Sequence, residues 1–145
     1  MLNTSEVLQR AAIAKTAVAG ADSATKNRAL GEMSSALTDM SDKILEANAA
    51  DVEASCLKIG EVMTDRLRLT KERIASMAKG IDALRSLPDP NGRVLSENIR
   101  PNGLLIRKIS VPMGVIGIIY ESRPNVTSDA ASLAIKSSSA CVLRS

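Results

Sequence analysis

Between residues 30 and 44 the apolar positions Leu30, Met33, Leu37, Met40 and Ile44 recur at alternating spacings of three and four. That spacing puts them on one face of a helix. The stripe stops at Ala47 and Asp51 after about two heptads, short of the three or four that a coiled coil needs, and so predicts an ordinary core-facing helix. Ser23 can cap its start. Ahead of it, Ser5 to Ala19 is Ala-rich, with Val7, Leu8, Ala11, Ala12, Ala14 and Val18 as its apolar positions and Gly20 placed to end it. Helical pattern continues from Asp42 to Leu57 and closes at Gly60. Thr70 then caps a further helix, with Glu72 in its first turn complementing the dipole. Ile74, Met77, Ile81, Leu84 and Leu87 line that helix, and Pro88 stops it.

The texture changes at L-P-D-P-N-G (87–92), a cluster of turn formers. Val94 to Arg100 and Leu104 to Val111 flank P-N-G and read as a β-hairpin. Arg107 and Lys108 in its second arm mark either a solvated edge or an arm facing a site. V-I-G-I-I-Y (115–120) and A-C-V-L-R (140–144) are apolar runs of strand length, separated by a short Ala-rich helix from Thr127 to Lys136. Strand, helix, strand predicts a βαβ unit with parallel strands. The pattern divides the chain into a helical segment (1–92), a hairpin arm (93–113) and the start of an α/β domain (114–145). Two parallel strands under one helix make an incomplete α/β sheet, so the pattern anticipates either further sequence downstream or a truncated product.

Composition narrows the chemistry. The chain has 145 residues, 45% hydrophobic and 24% charged, with one Tyr and no Phe or Trp, so the core is aliphatic. Net charge is +3, but the basic residues are scattered among acidic ones with almost no aromatic rings to stack on bases. That argues against nucleic acid and suits an anionic small molecule equally well. Two cysteines without histidine leave neither a metal site nor a Cys–His pair. No apolar run is long enough for a membrane span, and the first ten residues carry no basic leader, so a cytoplasmic protein with reduced thiols is expected.

The strand-to-helix junction holds the candidate chemistry. Ligands of open α/β sheets bind at the carboxyl ends of strands, and E-S-R-P-N-V-T (121–127) occupies that place. Pro124 fixes the backbone, Asn125 supplies an amide donor, and Thr127 or Ser128 can cap the helix. Taken alone, Asn125 also reads as a turn residue and Arg123 as a solvated charge. Gly114 and Gly117 do not form a G-x-G-x-x-G fingerprint and point to close backbone approach or packing. Cys141, inside an apolar strand, reads as a buried structural thiol. Ser137, Ser138 and Ser139 form a turn without a nucleophile-elbow pattern.

V-P-M-G-V-I-G-I-I-Y-E-S-R-P-N-V-T-S-D-A-A-S-L-A-I-K-S (111–137) closely resembles the signature region of the γ-glutamyl phosphate reductase (glutamate-5-semialdehyde dehydrogenase) family, within the aldehyde dehydrogenase superfamily. K-N-R-A-L (26–30), I-L-E-A-N-A-A-D (44–51), D-R-L-R-L-T (65–70) and L-P-D-P-N-G (87–92) resemble family segments in the family's order. The resemblance covers essentially the whole chain but only the first third of such an enzyme. It implies an α/β fold: N-terminal helices, a β-hairpin and the first βαβ unit of an incomplete Rossmann-like nucleotide-binding domain of the aldehyde dehydrogenase type.

By the same resemblance, the implied activity is an oxidoreductase step of proline biosynthesis. A cysteine thiolate displaces phosphate from L-glutamyl 5-phosphate, and hydride from NADPH yields glutamate 5-semialdehyde. The nucleophile belongs to a later domain, so the isolated chain is expected to show no reductase turnover. Asn125 matches the amide that helps hold the acyl oxyanion, a role suited to a fixed donor. Tyr120, Glu121 and Arg144 match positions near the cofactor. Arg123 is expected to face the substrate's phosphate or carboxylate, which its planar fork suits. Candidate partners are a second copy of the chain and glutamate 5-kinase; the alternative is a non-catalytic truncated homologue acting only through subunit binding, or a degenerate remnant. The chain departs from the family's usual L-K-S-G-N-A-V-I-L-R-G-G. Ser138 replaces a glycine, Ser139 an asparagine and Ser145 a further glycine, which predicts strain where glycine would supply a positive φ.

Overall fold

The computed structural model describes residues 3–121 and 123–144, leaving aside the side chains of Cys56 and Leu57. Ser145, one of the three departures from the family pattern, and the Cys56 thiol therefore lie outside the described residues. Helix α1 (Thr4–Ala19) opens on a capping box: Asn3 accepts from the Glu6 N–H at 2.8 Å and the Glu6 carboxylate accepts from the Asn3 N–H at 2.9 Å. Helix α2 (Ser23–Asp39) is capped by Asp22, one residue before the expected Ser23. The Asp22 carboxylate accepts from the Thr25 N–H at 2.7 Å, and hydrogen bonding to Thr25 holds that carboxyl below its ordinary pKa. A charged acceptor at the cap outcompetes the neighbouring hydroxyl.

The apolar stripe does not ride on one continuous helix. Met40 leaves helical geometry (φ −97°, ψ 10°), ending α2 and starting α3 (Ser41–Leu67). Leu30 is fully buried, Met33 and Leu37 are half-buried, and Met40 at the break is exposed. Gly60 closes the first helical stretch of α3, as the pattern predicts, and a second stretch follows. At φ 72° and ψ 164° it interrupts the helix, which resumes to Leu67, and the Thr64 hydroxyl donates to the Gly60 carbonyl at 2.8 Å. Helix α4 (Lys71–Ser86) is capped as expected, with the Thr70 hydroxyl accepting from the Arg73 N–H at 3.2 Å. It ends ahead of Pro88, whose ring disfavours helical geometry at Leu87.

The centre of the core is Leu30 of α2 against Ile74, Met77, Ala78 and Ile81 of α4, all buried. Ser34 reinforces this helix pair by donating within reach of the Ala78 carbonyl (3.1 Å) and the Asp82 carboxylate (2.8 Å). Strands β1 (Val94–Ile99) and β2 (Leu105–Ile109) form an antiparallel hairpin whose every position is exposed. Across it, Arg107 Nε donates to the Glu97 carboxylate at 2.6 Å, so Arg107 belongs to an edge pair.

Strands β3 (Val115–Ile119) and β4 (Ala140–Arg144) run parallel, in register from Val115 with Ala140 to Ile119 with Arg144, and α5 (Pro124–Lys136) joins them. The predicted βαβ unit is therefore present. Helix α5 begins three residues earlier than expected, because Pro124 fits the first helical position, where a missing N–H costs nothing. Its buried residues are Ser128, Ala130, Ser132, Ala134 and Lys136, all small but the last. At its far end Ser138 N–H donates to Ile135 C=O (3.0 Å) and Ser139 N–H to Ala134 C=O (2.9 Å), a Schellman closure. Ser138 sits at φ 55°, the left-handed conformation its replaced glycine would favour. Gly117 meets no close backbone: a Cβ there would touch nothing within 4 Å among the described residues, against the expectation of tight packing. Among those residues no helix is long and apolar enough to cross a membrane.

Candidate active site

The junction residues divide between two neighbouring places. Arg123 is the N-cap of α5 and Asn125 lies in its first turn, not in a loop. No side chain caps this helix start. The hydroxyls expected to do so are inside the helix and engaged elsewhere: Thr127 with the Tyr120 hydroxyl at 2.5 Å, and Ser128 donating to the Asn125 carbonyl at 2.8 Å. The Asn125 amide donates to the Asp129 carboxylate, one turn on, at 3.2 Å. Pro124 has no N–H and the Val126 N–H donates to the Arg123 carbonyl at 3.0 Å, so it is chiefly the helix dipole that favours negative charge here.

Arg123, Asn125 and Asp129 line a cleft of about 460 Å³ whose other wall is the α3–α4 connection. That wall brings Asp65, Arg66, Arg68 and Arg73, so four arginines face two aspartates. Arg73 is committed to structure. Its Nη1 donates to the carbonyls of Asp65 (2.7 Å) and Arg68 (2.5 Å), and its Nη2 lies 3.4 Å from the Asp65 carboxylate. Asn48, buried in α3, holds the same connection from the other side, donating to Leu67 C=O at 2.8 Å and accepting from Leu69 N–H at 2.7 Å. The guanidinium groups of Arg68 and Arg123 have no ion-pair or hydrogen-bond partner among the described residues.

The other place is the carboxyl edge of the parallel pair. Tyr120 N–H donates to Arg144 C=O at 3.0 Å, which sets Tyr120 beside the end of β4. Arg144 is exposed there, and Glu121 is exposed next to Tyr120. Neither lines the arginine cleft. Cys141, in β4, is half-buried rather than fully buried, and burial pushes its thiol pKa up. Among the described residues no group of three His, Cys, Asp or Glu side chains could hold a metal ion.

The chain is similar to known proteins along its whole length. All 145 residues align with the γ-glutamyl phosphate reductase of Neisseria meningitidis at 57% identity, and 144 with that of Streptococcus suis at 51%. The chain is homologous to γ-glutamyl phosphate reductase along its entire length. It spans about a third of the length of the curated relatives it matches (34% and 35%). The crystal structure of γ-glutamyl phosphate reductase from Thermotoga maritima superposes with a TM-score of 0.91 at 38% identity, over 96% of this chain and 34% of that one. The Saccharomyces cerevisiae enzyme gives 0.92 at 27% identity, over 99% and 37%. No protein-family model matches the chain. The cleft joins residues that the sequence singled out, Arg123 and Asn125, with others that it did not, Arg66, Arg68 and Arg73. D-R-L-R-L-T (65–70) stands out for likeness alone, although three arginines, Arg66, Arg68 and Arg73, fall with Lys71 within eight positions.

Proposed function

We propose that this chain forms the N-terminal part of a γ-glutamyl phosphate reductase, which reduces L-glutamyl 5-phosphate to L-glutamate 5-semialdehyde with release of phosphate, using NADPH, in proline biosynthesis. The observation that carries the reading is the meeting of Arg123 and Asn125 in an arginine-lined cleft at the start of α5, in a chain similar throughout to reductases. Arg123, free of any protein partner among the described residues, binds the anionic end of the substrate. Asn125 Nδ2 donates to the acyl oxygen as negative charge develops on it. Its bond to Asp129 fixes the direction of the amide, which is what makes such a donor effective.

The carboxyl ends of β3 and β4 begin a Rossmann-like domain and suit a nicotinamide dinucleotide: Arg144, without a side-chain partner among the described residues, offers a cation near Tyr120. That cofactor supplies the hydride. The chain's own contribution is to bind and orient, with Tyr120 bonded to Thr127 holding the junction closed over the helix start.

The test is a chimera in which this chain replaces the matching third of a full-length relative. The expected result is NADPH oxidation with glutamyl phosphate, and a loss of roughly 100-fold in kcat with little change in KM on Asn125→Ala. A folded chimera without turnover overturns the reading, and an unimpaired Asn125→Ala overturns the oxyanion role. A second reading, a non-catalytic homologue acting through subunit contacts, has its own support in the exposed Leu95, Ile99, Leu105 and Ile109 of the hairpin. Co-purification with an intact relative, together with an inactive chimera, would favour it.

A further inference from the structure

Three features of the cleft ask for a ligand more specific than an anion. The Arg68 side chain is exposed and without a partner among the described residues, yet side chains hold its backbone on both sides. Asn48 grips the residues on both sides of it, and Arg73 grips its own carbonyl. An exposed arginine needs no such support to be solvated. A fixed backbone lowers the ordering cost of using the side chain on a ligand. Second, Asp129 faces the same cleft with no cation among the described residues; its only side-chain partner is the neutral Asn125 amide. Third, the cleft therefore presents a free cation on each wall, Arg68 and Arg123, with a free carboxylate beside Arg123.

We propose that the cleft is a receptor for an α-amino acid, in which Arg68 binds the α-carboxylate and Asp129 the α-ammonium, leaving Arg123 and Asn125 to the acyl phosphate end. This rests on the reading that the cleft takes the glutamyl substrate, and adds the residues that select its amino-acid end. A simple anion site would gain nothing from Asp129, whose charge repels anions. An α-amino acid uses both signs.

The experiment is titration of the isotope-labelled full chain with L-glutamate, glutarate and inorganic phosphate, followed by backbone and arginine side-chain NMR. Both side chains tested are exposed, and Asp129→Asn keeps an oxygen for the Asn125 amide. L-Glutamate is expected to shift Arg68 and Asp129 together. Arg68→Gln should weaken L-glutamate about fivefold, the scale of one exposed ion pair, while phosphate still shifts Arg123. Asp129→Asn should weaken L-glutamate while tightening or sparing glutarate, which lacks the ammonium. Tighter L-glutamate binding in Asp129→Asn would mean bulk electrostatics and would overturn the proposal. Phosphate binding at Arg123 without any L-glutamate response at Arg68 sinks the proposal and leaves the functional reading standing. Silence toward all three ligands sinks both.

Discussion

The Lys26 ammonium donates to the Ser138 hydroxyl at 2.9 Å, joining residues 112 positions apart at a place where both are buried. The same ammonium pairs with Asp89 at 2.5 Å, so one buried cation ties α2, the turn before the hairpin and the end of α5 together. Lys136 repeats the arrangement nearby, donating to Asn27 at 2.9 Å. These bonds fix α5, and with it the cleft residues at its other end, against the helical segment. Removing the cation leaves a carboxylate and a hydroxyl without their partner in a mostly dry place. Lys26→Met is expected to cost about 2 kcal/mol, below the roughly 3–5 kcal/mol for breaking a fully buried pair, because Asp89 is 25% exposed. Urea unfolding measures it, and a loss under 0.5 kcal/mol, the scale of ordinary surface changes, would show the pair to be solvated.

Ser138 combines two opposed effects that substitution separates. Its left-handed φ of 55° is costly for any residue with a Cβ, whereas its hydroxyl satisfies Lys26. Ser138→Ala keeps the strain and loses the bond; Ser138→Gly loses both. The glycine variant is therefore expected to exceed the alanine variant in stability by about 1 kcal/mol, the usual penalty of that conformation. Thermal unfolding of the pair measures the difference directly. Equal stabilities would mean the turn carries no strain.

Stability should also fall in acid through Asp89. Burial opposes ionisation of its carboxyl, but the Lys26 hydrogen bond, the Asn91 N–H and the charges of Lys26 and Lys136 together outweigh it, and its pKa lies below the ordinary value. The unfolded chain then takes up this proton first as pH drops. The stabilisation is complete above the unfolded pKa near 4 and disappears as pH falls through the lower folded value. Asp89→Asn should flatten the stability–pH curve below about pH 4 relative to the parent. An unchanged acid limb would remove Asp89 from the acid response.

Much of this architecture was legible from pattern alone, because helices, hairpin and βαβ unit each obey a local period or turn rule. Thr70, the P-N-G turn and the parallel strands fell where those rules put them. What escaped were choices between near-equal local options. Asp22 displaces Ser23 as a cap by charge; Met40 breaks a stripe whose spacing is perfect; beyond the expected break at Gly60 a further helical stretch runs on to Leu67. The cleft was half legible for a different reason. Arg123 and Asn125 announce themselves at a strand end, whereas Arg68 gains its meaning only when α4 folds back and brings the α3–α4 connection against α5. Asn48 is the extreme case: a single polar residue on a helix, whose two partners lie 19 and 21 positions away.

Asn48 consequently gives a sharp test of how the cleft wall is built. Asn48→Ala strips the Leu67 carbonyl and the Leu69 N–H of their partner at a part-buried position. A cost of about 2–3 kcal/mol is expected, with faster amide exchange concentrated at Leu69 and Thr70. Uniform acceleration across α2 and α4 instead would mean that Asn48 supports the whole core rather than the connection.

Cys141 offers the last test, because a thiol in a strand of the parallel pair invites a catalytic reading. Burial is the cause of its raised pKa, and the chain contains no histidine to take its proton. The thiolate is the reactive form, so at neutral pH Cys141 should react more slowly than an unperturbed thiol of pKa near 8.5. In a Cys56→Ser background, iodoacetamide at pH 7.5 is expected to modify native Cys141 at least about tenfold more slowly than the same thiol in urea, a factor set by both thiolate fraction and access. Equal rates would mean that β4 opens freely at its edge, and faster native labelling would mark an activated thiol and reverse the structural assignment.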